Sequence, residues 1–92
     1  MSLLRLAEHA VFDDTEEAGV ILDTRTGVYL SLNVTATLML QEALRADTLE
    51  EAIGCLETRI DASGDTLAQG MARLTAQLAD RSLLARAAGD AR

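Results

Sequence analysis

The pattern of hydrophobic and polar residues over the first third of the chain predicts three short strands: the first alternates in part, the second is a β-branched apolar run, and the third alternates clearly. The strands cover about residues 4–12, 20–22 and 28–32, and acidic or glycine-containing turns separate them. The turn at residues 23–27 ends in Gly27, which can adopt the positive φ that tight hairpin loops require. The pattern therefore predicts a hairpin between the second and third strands.

In the third predicted strand, the period of two assigns the side chains to opposite faces. Val28, Leu30 and Leu32 point to one face, and Tyr29 and Ser31 point to the other. Because the first of these faces is wholly aliphatic, we expect it to be buried.

The hydrophobic period changes to that of a helix after Asn33, a favoured N-cap residue, and a first helix is predicted over residues 34–46. Thr48 and Glu51 form a capping box. The apolar stripe that follows this box predicts a second, amphipathic helix that continues to about residue 60.

A third helix is predicted to begin at a cap on Ser63 or Asp65 and to end near Asp80. Its apolar stripe has helical spacing and consists of Leu67, Met71, Leu74 and Leu78. Small residues lie beside this stripe, so another element could approach the helix closely on that side.

Three strands followed by three helices define an α+β fold. The chain has 92 residues, which is enough for one domain, and we assign residues 1–92 to it. We expect its core to span about residues 4–84 and residues 85–92 to form a frayed tail.

Acidic residues outnumber basic ones, and the formal net charge is −7. A chain with this charge repels a phosphate backbone, so we expect no nucleic-acid partner. Charged residues interrupt the N-terminal segment, so it lacks the continuous apolar stretch of a signal peptide. The longest charge-free run is too polar and too short to span a membrane. We therefore expect a cytoplasmic protein with no membrane partner.

Few residues are available for catalysis. The chain has one His, one Cys and no Lys, whereas nucleophilic catalysis needs a nucleophile beside an activating base. Cys55 lies at the edge of an apolar helix stripe, so we reject a Cys55–His9 dyad. The acidic residues at 13–17 lack the ligand spacing of a calcium loop, and no phosphate-binding glycine motif is present. We predict a binding module that is not an enzyme and has no cofactor or metal.

The hairpin and helix sequences resemble those of PqqD-like proteins. Residues 22–33 (LDTRTGVYLSLN) match a strand, a D-x-x-x-G turn, an edge strand with an aromatic residue, and an L-N pair that opens a helix. Residues 48–52 (TLEEA) resemble the opening of the family's second helix. Residues 74–84 resemble its closing helix and tail, with Ser82 where the family usually has glycine. The resemblance covers about residues 4–84.

This resemblance implies an antiparallel sheet followed by a winged-helix-like bundle that recognises the leader of a ribosomally made precursor peptide. In the family, the leader pairs with the third strand and lies in a groove between that strand and the third helix, and the domain does no chemistry itself. The implied peptide-binding residues are Val28, Tyr29, Leu30, Ser31, Leu32, Met71, Leu74, Thr75 and Leu78. The chain is most similar to the stand-alone members of lasso-peptide pathways, which implies a leader peptidase or another maturation enzyme as second partner.

Three alternatives remain open. A PqqD-type chaperone would present the precursor to a radical-SAM enzyme. A winged-helix DNA-binding regulator has the same helical order. The third helix and its end, however, offer only Arg73 and Arg81, whose charge Asp65 and Asp80 offset, which leaves too little positive charge for phosphate contacts. An adaptor that pairs its own edge strands would form a weak homodimer.

Overall fold

Three antiparallel strands precede three helices in the computed structural model, which describes residues 3–85. The strands are β1 (Ala10–Asp13), β2 (Val20–Asp23) and β3 (Val28–Ser31), and they form one sheet in the order β1-β2-β3. The predicted α+β class and the predicted hairpin are confirmed. Most of the predicted tail, residues 86–92, lies outside the described residues.

The strand register separates a buried face of the sheet from an exposed face. Phe12, Ile21 and Leu30 lie side by side across the three strands and face the core. Ile21 is fully buried, whereas Tyr29, on the opposite face, is exposed. The alternation predicted for the third strand is therefore present in the fold.

The first predicted strand is divided into two parts. β1 begins only at Ala10, while Leu6 forms an isolated antiparallel bridge with Leu84. The Ala7 N–H donates to the Leu83 carbonyl at 2.8 Å, and the Ala10 N–H closes a turn onto the Ala7 carbonyl at 3.0 Å. The N-terminal segment thus pairs with the C-terminal segment instead of extending β1.

The helices are α1 (Val34–Arg45), α2 (Leu49–Glu57) and α3 (Gly64–Asp80). At the end of α2, the Thr58 N–H donates to the Cys55 carbonyl at 3.2 Å, a three-residue bond that tightens the last turn. For this reason α2 ends earlier than predicted. None of the helices in the described part of the chain is long and apolar enough to cross a membrane.

Side-chain caps specify the three helix starts. The Asn33 side chain accepts a hydrogen bond from the third N–H of α1 at 2.7 Å, and Thr48 does the same for α2 at 3.1 Å. Of the two residues predicted to cap α3, Ser63 is the cap, and Asp65 lies inside the first turn. Each capped N–H would otherwise lack a partner within its helix, so the caps stabilise these starts locally.

The core lies between the inner face of the sheet and the helices. Its buried apolar residues are Ile21, Leu32, Met39, Leu40, Ala43, Ala52, Leu56, Leu67, Met71, Leu74, Leu78 and Leu83. The predicted α3 stripe is wholly included in this core.

A close contact at Gly19 joins the sheet to α1. The Gly19 N–H donates to the Oγ1 of buried Thr37 at 2.8 Å, and the Thr37 hydroxyl donates to the Asn33 carbonyl at 2.8 Å. A Cβ at position 19 would lie 2.9 Å from Cε1 of Phe12 and 3.0 Å from the Asp13 carbonyl oxygen. Glycine is therefore required where the chain enters β2.

α3 ends in a Schellman motif around Ser82. The Ser82 N–H donates to the Ala79 carbonyl at 3.0 Å, and the Leu83 N–H donates to the Leu78 carbonyl at 2.9 Å. Ser82 has a φ of 59°, the left-handed conformation in which a Cβ causes strain. Glycine, which the resemblance implies at this position, would adopt this conformation without a Cβ clash.

We predict that Ser82→Gly stabilises the protein. Glycine removes about 1–2 kcal/mol of left-handed strain and loses about 0.5–1 kcal/mol through the entropy of the unfolded chain. The central values of these two ranges differ by about 0.75 kcal/mol, so the free energy of unfolding should rise by about that amount, as measured by urea denaturation.

Gly27→Ala is the matched control, because Gly27 also has a positive φ, 74°, and a Cβ there would meet no atom within 4 Å. This variant should lower the free energy of unfolding by about 1 kcal/mol. Unchanged or lower stability of Ser82→Gly would contradict the strain at Ser82.

Candidate functional site

The outer edge of β3 carries backbone groups that the sheet does not use. The Leu32 N–H donates to the Gly19 carbonyl at 2.9 Å, which sets the alternation of the β2–β3 ladder. By that alternation Leu30 also bonds to β2, and Tyr29 and Ser31 direct their N–H and C=O groups away from it. The edge therefore offers two donors and two acceptors to an added strand.

The described part of the C-terminal segment does not cover this edge. Leu84 pairs with Leu6, and the Ala85 N–H donates to the Arg5 carbonyl at 2.8 Å. Within residues 3–85 the sheet ends at β3. An incoming strand would thus displace no described segment of the chain.

A cavity of about 190 Å³ lies between β3 and the C-terminal end of α3. Its lining residues are Asp23, Thr26, Val28, Leu30, Arg81 and Leu83. Val28 is 53% exposed and Leu30 is only half-buried, although both lie on the face of the strand that was predicted to be buried. Partly covered aliphatic side chains beside an open strand edge can bury the side chains of an added strand.

A second cavity, of about 200 Å³, lies between the start of α1 and the middle of α3. Its lining residues are Asn33, Thr35, Ala36, Met39, Gly70, Arg73, Leu74 and Gln77. The two cavities are successive, because Gln77 and Arg81 are one helical turn apart on one side and Leu30 and Asn33 are close along the chain on the other. We call these two cavities and their lining residues the β3–α3 groove.

The five site residues predicted on the third strand lie together at this edge with different exposures. Tyr29, which is 62% exposed, and Ser31 lie on the outer face of the sheet. Val28 and Leu30 line the groove, and Leu32 is buried in the core. Their role in peptide binding stays a prediction.

The four site residues predicted on α3 lie mainly in the core. Met71 and Leu78 are buried, and Leu74 is buried but also lines the second cavity. Thr75 is half-buried, and its hydroxyl donates to the Met71 carbonyl at 2.8 Å. Met71, Thr75 and Leu78 line neither part of the groove, because the apolar stripe of α3 packs against α1 and α2. Their contact with a peptide likewise stays a prediction.

Besides the predicted Leu74, four residues beside the apolar stripe of α3 and at the C-cap of this helix line the groove and were missed by the sequence analysis. They are Gly70, Arg73, Gln77 and the C-cap residue Arg81. Polar positions on an amphipathic helix are normally assigned to solvent. The available signal was Gly70. Glycine inside a helix costs stability, so its presence indicates that another group approaches the helix closely at that position. Here that group is the Met39 side chain.

An ion pair holds the hairpin turn at one end of the groove. Asp23 is buried, and its carboxylate accepts hydrogen bonds from the Arg25 backbone N–H at 2.9 Å, Nε at 3.2 Å and Nη2 at 3.0 Å. The side-chain hydrogen bonds from Arg25 lower the pKa of Asp23 from its ordinary 3.8 to about 2, although burial acts in the opposite direction. The Asp23 carbonyl also accepts from the Gly27 N–H at 2.8 Å, so the turn before β3 is tied at several points.

Arg73 and Arg81 make the groove locally positive. Both are exposed, and within the described residues neither forms an ion pair, unlike the arginines bound to Asp23 and Glu42. The carboxylate of Asp23, which also lines the groove, is already held by Arg25. The groove is thus a local exception in a protein with a net charge of −7.

The described residues that line the groove include no Cys, His, Ser or Lys. No cluster of His, Cys, Asp or Glu within residues 3–85 is arranged to hold a metal ion. The His9 ring lies outside the groove, with Nε2 2.7 Å from the Ser82 carbonyl oxygen, and Cys55 is exposed on α2. What the groove combines is an open strand edge, aliphatic side chains and two guanidinium groups.

Comparison of the sequence with models of known protein families shows to which family this chain belongs. A family model described as coenzyme PQQ synthesis protein D (PqqD) matches residues 18–84, which include β2, β3 and all three helices. The chain belongs to the PqqD family. A search among curated proteins finds no match to this PqqD-family chain.

Two solved structures have the fold of this PqqD-family chain. TbiB1 in complex with the TbiA(beta) leader peptide is 18% identical with a TM-score of 0.78, and the match covers 92% of this chain and 99% of that chain. Lasso peptide synthetase B1 complexed with the leader peptide is 24% identical with a TM-score of 0.79, with 92% and 100% covered. At these identities the likeness establishes the fold.

We predict that the Asp23–Arg25 pair makes the free energy of unfolding depend on pH in the acidic range. The folded state holds the pKa of Asp23 at about 2, below the 3.8 of an unpaired carboxyl, so the pair stabilises the fold fully above about pH 4. This contribution is lost as the pH falls towards 2. Asp23→Asn should be less stable at neutral pH and should lose less stability between pH 4 and pH 2, as measured by urea denaturation at each pH.

Arg25→Gln, which removes the other partner, should weaken the acid dependence in the same way. Part of the dependence should persist in both variants, because the pKa of Glu42 is also lowered: burial opposes this shift, but hydrogen bonds from Arg59 and Arg45 outweigh it. An acid dependence identical to that of the parent in both variants would contradict the role of the pair.

Proposed function

We propose that this PqqD-family chain binds the leader segment of a ribosomally made precursor peptide by strand addition at β3. The chain then presents the precursor to a processing enzyme, such as a leader peptidase in lasso-peptide maturation. The domain contributes recognition and no chemistry. Its setting in this proposal is the cytoplasm, where precursor peptides are made.

The observation that carries this proposal is the open edge of β3 beside a groove. Tyr29 and Ser31 direct their backbone groups outwards, and no strand within residues 3–85 pairs with them. An extended peptide can satisfy these groups and place alternate side chains in the groove, over Leu30 and Leu83. The two solved structures with this fold contain leader peptides, which supports the same class of ligand here.

The expected affinity is moderate. Four backbone hydrogen bonds contribute about 2–6 kcal/mol in total, and two aliphatic anchors contribute about 3–6 kcal/mol. Ordering a flexible peptide removes several kcal/mol of this gain of about 5–12 kcal/mol, so the Kd is at best about micromolar. Such a complex dissociates readily, as transfer of the precursor to a second protein requires.

We predict that Ser31→Pro weakens peptide binding at least tenfold while the fold survives. Proline removes the Ser31 N–H and places its ring at the edge, but this N–H takes no part in the β2–β3 ladder. As probes we would use dodecapeptides enriched by the parent protein from a random mRNA-display library, with affinities measured by calorimetry and the fold checked by thermal melting.

Ser31→Ala is the matched control, because it keeps the N–H and removes only an exposed hydroxyl. It should bind the same peptides within about twofold. The proposal fails if the library yields no enriched peptide, or if a cooperatively folded Ser31→Pro binds them like the parent.

A further inference from the structure

We propose that the β3–α3 groove selects peptides with two carboxylates four residues apart and an aliphatic residue midway between them. This inference rests on the proposed function and specifies the peptide that the site recognises. Its starting point is the placement of Arg73 and Arg81, which line opposite ends of the groove.

The two guanidinium groups are available to a ligand. Arg81 lines the cavity beside Val28 and Leu30, and Arg73 lines the cavity beside Asn33. Both arginines are exposed and lack an ion pair within residues 3–85. A carboxylate is the side chain that a guanidinium binds with the best geometry, through two parallel hydrogen bonds.

The spacing of the arginines matches four residues of an extended chain. Arg81, the C-cap residue of α3, lies eight positions after Arg73, which is a rise of about 12 Å along the helix axis. Four residues of a β-strand span about 13 Å. An even number of residues also places both carboxylates on the same side of the added strand, because side chains alternate between faces.

The register on β3 leads to the same pattern. Peptide residues opposite Val28, Leu30 and Leu32 would face the groove, since these residues share the inner face of the sheet. The position opposite Val28 adjoins the cavity that Val28 and Arg81 line, and the position opposite Leu32 is next along the strand to Asn33, which lines the cavity with Arg73. The middle position lies over Leu30 and Leu83, where an aliphatic side chain is buried. The expected pattern is therefore acidic-x-aliphatic-x-acidic.

The test compares the peptides that the parent and its variants enrich from the same random dodecapeptide library. The parent should enrich Asp or Glu at two positions four residues apart. Arg73→Gln and Arg81→Gln should each lose the preference at one position and bind the parent's peptides about two- to fivefold more weakly. Arg5→Gln is the matched control, because Arg5 is exposed and lies outside the groove, and it should change neither readout.

A charge reversal extends the test. Arg73→Glu combined with Arg81→Glu should replace the acidic preference by Lys or Arg at the same spacing. Enriched peptides without paired acidic residues would overturn this inference and leave the proposed function standing. An acidic preference that survives in Arg73→Gln and Arg81→Gln would also overturn it. Failure to enrich any peptide would overturn the proposed function and this inference together.

Discussion

The outward-facing N–H and C=O groups of Tyr29 and Ser31 are the feature on which the rest of the site depends. An unpaired edge of this kind invites association with any extended chain, so proteins usually cover or shorten it. Here the edge strand has four residues, and the C-terminal segment pairs with the N-terminal segment through the Leu6–Leu84 bridge instead of with β3. Within residues 3–85 the fold thus leaves this short edge uncovered beside a helix.

One side of α3 packs in the core, and the adjacent side lines the groove. Its apolar stripe is buried against α1 and α2, while the neighbouring stripe from Gly70 to Arg81 lines the groove. The Schellman motif at Ser82 then turns the chain so that Leu83 is buried and also lines the first cavity. The helix that completes the core is therefore also the wall of the site.

Local signals in the sequence predicted most of the fold. The alternation in β3 and the caps at Asn33 and Thr48 are determined by neighbouring residues, so they could be recognised without tertiary information. The division of the first predicted strand could not be recognised, because alternation in a segment does not identify its pairing partner. The sequence did not identify Arg73, Gln77 and Arg81 as groove residues. Polar side chains on a helix normally face open solvent, and only the packing of α3 places these three in the groove.

Hydrogen exchange at individual backbone amides measures the state of the β3 edge most directly. In the free protein, the Tyr29 and Ser31 amides should exchange rapidly with solvent while the Leu30 amide is protected by its bond to β2. Saturation with an enriched peptide should slow exchange at Tyr29 and Ser31. Protection of both amides in the free protein, or rapid exchange of both in the complex, would contradict strand addition at this edge.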